Sequence, residues 1–157
     1  MNFIKETARI IAEKSIILRK ILRSIYNFYK RLVYKITTIG LKVDNKLIVF
    51  CAFNGKSYAC SPKAIYKYIQ SSPEYKDYKL VWSFENVEKY KELEKNENTL
   101  IVKHNSKEYR KYLAKAKYWI FNYKIPDYLY PKKNQVFVQC WHGTPLKRLR
   151  VRFDPLR

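Results

Sequence analysis

The chain has 157 residues, 47% of them hydrophobic and 17% aromatic, and a formal net charge of +20 at pH 7. This length and apolar share fit one domain with a packed core and exclude a disordered polypeptide. So large a positive charge points to an anionic partner: a phospholipid surface, a phosphate-rich substrate or a nucleic acid.

Residues 1–40 are the first distinct segment. Placed on a helical wheel, Ile4, Ala8, Ile11, Leu18, Leu22, Ile25, Tyr29, Leu32 and Ile36 fall within one stripe. The basic residues of the segment project to the opposite half, Lys14 excepted, and only Glu6 and Glu13 oppose them. The pattern predicts a basic amphipathic helix, or helix pair, lying on an anionic bilayer with its apolar stripe in the interface. Arg19, Lys20, Arg23, Lys30 and Arg31 are then the membrane-binding cations. The plainer alternative is a helix packed on its own domain with a solvated basic face. A nucleic-acid-binding helix fits less well, because the apolar side is too broad for a helix lying in a groove. No uncharged run approaches the roughly 18–20 residues that cross a bilayer, and no signal peptide is evident.

From residue 46 the hydrophobic pattern changes period. Strand-length apolar runs recur at Leu47–Phe53, Leu80–Phe84, Thr99–Val102, Tyr118–Phe121 and Val136–Trp141. Between them lie three helical patterns: Pro62–Ile69 with Ser61 as N-cap, Asn86 or Val87 to Lys95, and Ser106–Ala116 with Asn105 or Ser106 as cap. Strand alternating with helix is the mark of an α/β fold built on a parallel sheet with right-handed crossovers. The last two strands are instead joined by the loop "NYKIPDYLYPKKN", with two prolines and no helix. Cys51, Cys60 and Cys140 form no CxxC pair, the two histidines stand far apart, and neither a disulfide framework nor a metal site is expected.

In sheets of this kind ligands bind beyond the carboxyl ends of the strands. Two loops fall there. "FNGKSYACSP" follows the first strand, with Gly55 for a tight turn and Ser57, Ser61 and the helix start at 61–64 placed to face a ligand. "WHGTP" follows the last strand, where Gly143 admits a close backbone approach and Thr144 and Pro145 start a helix whose free N–H groups suit an anion. Lys147 adds charge one turn on, and His142 has the titration range of a proton acceptor near neutral pH. A structural histidine would fit that turn equally well.

The string "WHGTPLK", preceded at these distances by "SPKAIYKYI" and "YKLVWSFEN", resembles the CDP-glycerol glycerophosphotransferases, the teichoic acid polymerases and primases of Gram-positive bacteria. The likeness runs from about Lys46 to Asp154 and is most specific from Trp141 to Lys147. It implies the N-terminal, Rossmann-like half of a two-domain GT-B enzyme, peripheral on the cytoplasmic face of the cell membrane. It further implies transfer of glycerol phosphate from CDP-glycerol to a hydroxyl of a lipid-linked acceptor, with release of CMP and no cofactor. His142 corresponds to the family's catalytic base, and Gly143, Thr144, Lys147, Gly55 and Ser57 become candidate substrate contacts. Two departures stand out: Arg150 where the family usually has a glycine nearby, and Cys60 where an acidic or amide residue often precedes Ser-Pro.

The family's second domain, with its nucleotide-binding residues and second histidine, has no counterpart here. The expected organisation is therefore helices over 1–40 and a truncated acceptor-side domain over 46–157, inactive alone: a truncated gene product, a fragment of a longer sequence, or one piece of a split protein whose second domain is separately encoded. A non-catalytic membrane- or acceptor-binding remnant of the family is the alternative. No nucleic-acid partner is expected, because no RNA- or DNA-binding motif is present.

Overall fold

The computed structural model describes residues 16–140. The earlier part of the predicted amphipathic segment, including Ile4, Ala8, Ile11 and Lys14, and everything from Trp141 onward lie outside the described residues. Helix α1 spans Ile16–Thr38, followed by β1 (Asp44–Cys51), α2 (Cys60–Ser71), β2 (Lys79–Phe84), β3 (Thr99–Lys103), α3 (Lys107–Lys115), β4 (Ala116–Phe121) and β5 (Val136–Gln139). Short 3-10 segments occupy Phe53–Gly55, Pro73–Tyr75 and Glu88–Lys95.

The five strands form one sheet in the order β3-β2-β1-β4-β5. Every pairing is parallel: Val49 lies between Val81 and Trp119, Trp82 beside Ile101, and Ile120 beside Val138. Because helices cover both faces, the central strands read as unbroken apolar runs rather than alternating ones. The pleat then divides each run. Ile48, Phe50, Leu80, Trp82, Phe84 and Ile101 face α2 through Tyr66 and Ile69. Leu47, Val49, Cys51, Val81, Trp119 and Phe121 face α3 through Tyr109 and Leu113, with Tyr34 of α1 beside them. The chain thus changes face between β3 and β4, which makes the β1–β4 boundary the topological switch point.

Local differences from the sequence reading have clear causes. β1 stops at Cys51, because Phe53 and Asn54 turn into the left-handed region at φ 49° and 57°. α2 begins one residue before Ser61: Ala59 is the N-cap and makes no side-chain capping bond, so Ser61 is not the cap. Pro62 lies in the first turn, where a missing N–H costs nothing. Glu88–Lys95 is a 3-10 segment rather than an α-helix. Its contacts fall at particular points: Tyr90 stacks on Phe84 at 4.1 Å and the Glu94 carboxylate accepts from the Ile101 N–H at 3.2 Å. α3 starts as the sequence suggests, with Ser106 Oγ accepting from Tyr109 N–H at 3.0 Å. Its last carbonyls are closed by side chains. Trp119 Nε1 and Gln135 Nε2 both donate to Leu113 O, at 2.9 and 2.7 Å, and Gln135 reaches Ala116 O at 2.6 Å.

α1 packs on the domain with the side opposite its predicted stripe. Tyr34 and Thr38 are buried, whereas Leu22, Ile25, Tyr29, Leu32 and Ile36 are 41–61% exposed. The basic side meets the loop after β4: Arg31 donates to Asp127 O at 3.4 Å and lies over the Tyr130 ring, while Tyr26 packs edge-on against Tyr128. No helix among the described residues is long and apolar enough to cross a membrane.

Candidate active site

The carboxyl edge of the sheet is built by residues that arrive from four separate stretches of chain. After β1 the backbone runs through Phe53, Asn54 and Gly55, all with positive φ, and the Phe53 N–H donates to Asn122 Oδ1 at 2.8 Å. That bond spans the switch point, since Asn122 directly follows β4 and is buried. Gly55, at φ 83°, is buried as well, and its carbonyl accepts from the Glu85 N–H at 2.8 Å. A β-carbon there would come within 3.0 Å of His104 Cβ and Cγ. Only glycine lets the β1 loop, the end of β2 and the end of β3 meet so closely.

His104 sits at the centre of this junction. Its Nδ1 lies 2.8 Å from Ser83 Oγ and 3.7 Å from Cys51 Sγ. Tyr123 donates its hydroxyl to Cys51 Sγ at 3.4 Å and stands 3.4 Å from the Tyr109 hydroxyl. Burial disfavours every charged form here. It pushes the Cys51 thiol up to about 12, raises Tyr109 and Tyr123 further, and lowers His104, with Glu85 pulling His104 partly back. The junction is therefore neutral at pH 7, and Cys51 is a poor nucleophile. It can position the edge and hydrogen-bond a ligand. No local signal marked His104, whose partners Cys51, Ser83, Tyr109 and Tyr123 are scattered along the sequence.

A measurable consequence follows for stability. A histidine whose folded pKa lies below its ordinary 6.5 binds fewer protons folded than unfolded. Its contribution is complete above that ordinary value and is lost as the pH falls from there towards the lowered one. Urea titrations at about pH 7.5 and about pH 5.5 are expected to show a drop at the lower pH that shrinks in His104→Gln. An equal drop in both proteins would assign the pH dependence to other groups.

Of the residues singled out in the sequence, Gly55 and Ser57 belong to this edge. Gly55 is packed against His104, and Ser57 is half-buried in the turn towards α2. β5 ends on the same side, where the Cys140 N–H donates to Phe121 O at 2.6 Å. His142, Gly143, Thr144 and Lys147 lie outside the described residues. Lys30 lies over the Tyr26 ring at 5.4 Å, Arg31 contacts the 127–130 loop, and Arg19, Lys20 and Arg23 are exposed on α1. Among the described residues no cluster of histidine, cysteine, aspartate or glutamate could hold a metal ion.

Known proteins resemble this chain in sequence and in fold. The chain is 42% identical over 137 residues to the teichoic acid poly(glycerol phosphate) polymerase of Staphylococcus epidermidis, a match covering 83% of this chain and 18% of that protein. It is 37% identical to the polymerase of the same name from Bacillus spizizenii, covering 80% and 33%. It is 34% identical to the teichoic acid glycerol-phosphate transferase of Staphylococcus aureus, covering 87% and 32%. The chain thus spans a third or less of these curated relatives. Among solved structures, the wall teichoic acid polymerase TagF superposes with a TM-score of 0.64 at 35% identity, over 95% of this chain and 35% of that one. A histidine-to-asparagine variant of that polymerase soaked with CDPG gives 0.63 at 37% identity, over 87% and 35%. These likenesses show the GT-B-like character of the five-stranded parallel sheet. Residues 32–154 also match the model of the CDP-Glycerol:Poly(glycerophosphate) glycerophosphotransferases. With most of its length matched in sequence and its sheet matched in space, the chain belongs to the CDP-glycerol:poly(glycerophosphate) glycerophosphotransferase family.

Proposed function

We propose that this chain supplies the acceptor side of a glycerophosphotransferase that builds teichoic acid or a related polyol-phosphate polymer. In the proposed reaction an acceptor hydroxyl attacks the β-phosphorus of CDP-glycerol. The bond to the bridging oxygen breaks, CMP leaves, and the hydroxyl proton passes to His142. Thr144, the adjoining backbone N–H groups and Lys147 meet the charge that develops on the phosphoryl oxygens. The observation that carries this reading is the family match over residues 32–154, which includes the "WHGTP" segment. The sheet supports it, because β5 delivers Cys140, immediately before that segment, to the edge formed by Gly55 and His104.

The test is a chimaera in which residues 32–154 replace the matching stretch of the Staphylococcus epidermidis polymerase. CMP release from CDP-glycerol with a lipid-linked acceptor is expected at a rate near that of the parent. A folded chimaera that binds acceptor without turnover would favour the non-catalytic remnant instead.

We also propose that the protein is peripheral at the cytoplasmic face of the membrane, seated by α1. The support is the outward-facing stripe of Leu22, Ile25, Tyr29, Leu32 and Ile36 on a helix rich in lysine and arginine. Ile25→Asp together with Leu32→Asp is expected to release the chain from vesicles containing phosphatidylglycerol. Unchanged binding by this variant would remove α1 as the anchor.

A further inference from the structure

One cavity of about 330 Å³ lies between α1, the start of α3 and the loop after β4, on the far side of α3 from the solvent-facing lysines of that helix. Its wall includes Tyr26, Lys30, Asn105, Arg110, Tyr128 and Leu129. Among the described residues, Lys30 and Arg110 are its charged residues and no acidic side chain lines it. Neither cation forms an ion pair among the described residues. Asp127, in the neighbouring groove, is held by Lys124 at 3.3 Å.

Arg110 is held in a particular way. One Nη donates to the carbonyl of Asn105 at 2.9 Å, and Asn105 is itself in the left-handed conformation at φ 60°. The Nε–H of Arg110 is buried and has no hydrogen-bond partner among the described residues. A buried cationic donor left unmatched is costly, and such a group calls for an explanation. Burial raises the Tyr128 hydroxyl, and the Arg110 charge partly opposes that rise. A guanidinium fixed at one nitrogen and unpartnered at another, with an ammonium and tyrosines in the same cavity wall, is the donor set that a phosphate takes.

The position of the cavity adds the second half of the ligand. Tyr29 lines it and also belongs to the exposed apolar stripe of α1, flanked there by Ile25 and Leu32. A ligand with a phosphate in the cavity can lay an apolar chain along that stripe. We infer that the cavity bounded by Lys30, Asn105, Arg110 and Tyr128 is a binding site for a phosphodiester, with Arg110 Nε–H as its pivotal donor. This deepens the proposed function, since it rests on the protein working on a phosphate polymer at a lipid surface. Two sources present the same chemistry: the headgroup of an anionic lipid, or a soluble glycerol-phosphate chain.

The experiment uses the 157-residue chain and two probes. One is sedimentation with phosphatidylcholine vesicles with and without phosphatidylglycerol, and the other is titration with a short glycerol-phosphate oligomer followed through the Arg110 Nε–H signal. The variants are Arg110→Gln, Arg110→Lys and Lys30→Gln, with Lys111→Gln as an equally charged change on the outer side of α3. Arg110→Gln is expected to weaken binding of at least one probe about tenfold, and Lys111→Gln to change it little. Arg110→Lys keeps the charge but loses the fork, and should recover only a small part of the loss. Loss with vesicles alone identifies a lipid headgroup as the source, and loss with the oligomer alone identifies the soluble chain. Equal losses in the Arg110 and Lys111 variants, or no shift of the Nε–H signal with either probe, would overturn the site. Vesicle and oligomer binding that both survive every pocket variant, with vesicle binding lost only in the α1 stripe variant, would refute the pocket and leave the membrane reading standing. Oligomer binding without vesicle binding would do the reverse.

Discussion

Trp82→Ala is expected to cost about 3–5 kcal/mol, the largest stability loss of any single side chain in the domain. Trp82 is fully buried in β2, stacked between Phe50 at 5.3 Å and Phe84 at 5.4 Å, with the edges of Tyr58 and Tyr66 against it. Removing the indole empties the centre of one face of the sheet, and the surrounding rings belong to three different elements that cannot all close in. The same residue has a weakness. Its Nε1–H is buried without a hydrogen-bond partner among the described residues, which costs on the order of 1–3 kcal/mol. Trp82→Phe gives up volume but removes that donor, so it is expected to stay within about 1 kcal/mol of the parent. Urea unfolding of the three proteins decides it. An alanine variant of nearly unchanged stability would mean that the stack is not packed in solution; a phenylalanine variant as weak as the alanine one would mean that the indole N–H is bonded.

His142→Ala, placed in the chimaera, is expected to lower the rate of CMP release about 10²–10⁴-fold, the range of a lost general base. Under the proposed mechanism the loss falls on kcat, because His142 takes a proton only as the new bond forms. The donor KM should move little. Thermal unfolding should be unaffected, since the hydrogen bonds that fix the carboxyl edge run through Gly55, His104 and Asn122. Raising the pH should not restore the rate, because hydroxide is too scarce at moderate pH to replace a positioned imidazole. Full turnover in His142→Ala would remove it as the base and turn attention to the remaining residues of that edge.

Much of the fold was legible because periodicity survives any arrangement of neighbours. Five apolar runs became five parallel strands, and Ser106 caps α3 with the side chain that the sequence offers. Where the reading failed, a non-local fact decided the outcome. Ser61 has the chemistry of a cap, yet Cys60 at φ 56° starts the helix earlier. Glu88–Lys95 reads as helical, but its contacts with Phe84 and Ile101 hold it as a 3-10 segment. The stripe on α1 was visible as a stripe, whereas the direction it faces depends on Tyr34 and Thr38 packing on the opposite side. His104 carried no motif at all. It gained its place only when β1, β2 and β3 came together, a coincidence that no window of sequence contains.

The strand order also governs how this chain acquires its structure. No two neighbouring strands are joined by a hairpin: Val49 finds Val81 across one whole crossover and Trp119 only after two more elements have been laid down. The central strand β1 is made first among the strands and completed late, so during synthesis one of its edges waits for β4. Such long-range pairing slows folding and leaves an open, strongly apolar strand edge exposed in the meantime. Refolding from denaturant is a matter of loop closure before any sheet can reward it, and crowding many copies together at that stage invites strand exchange between chains. For this protein the vulnerable moment is the interval in which β1, β2 and β3 exist and β4 does not.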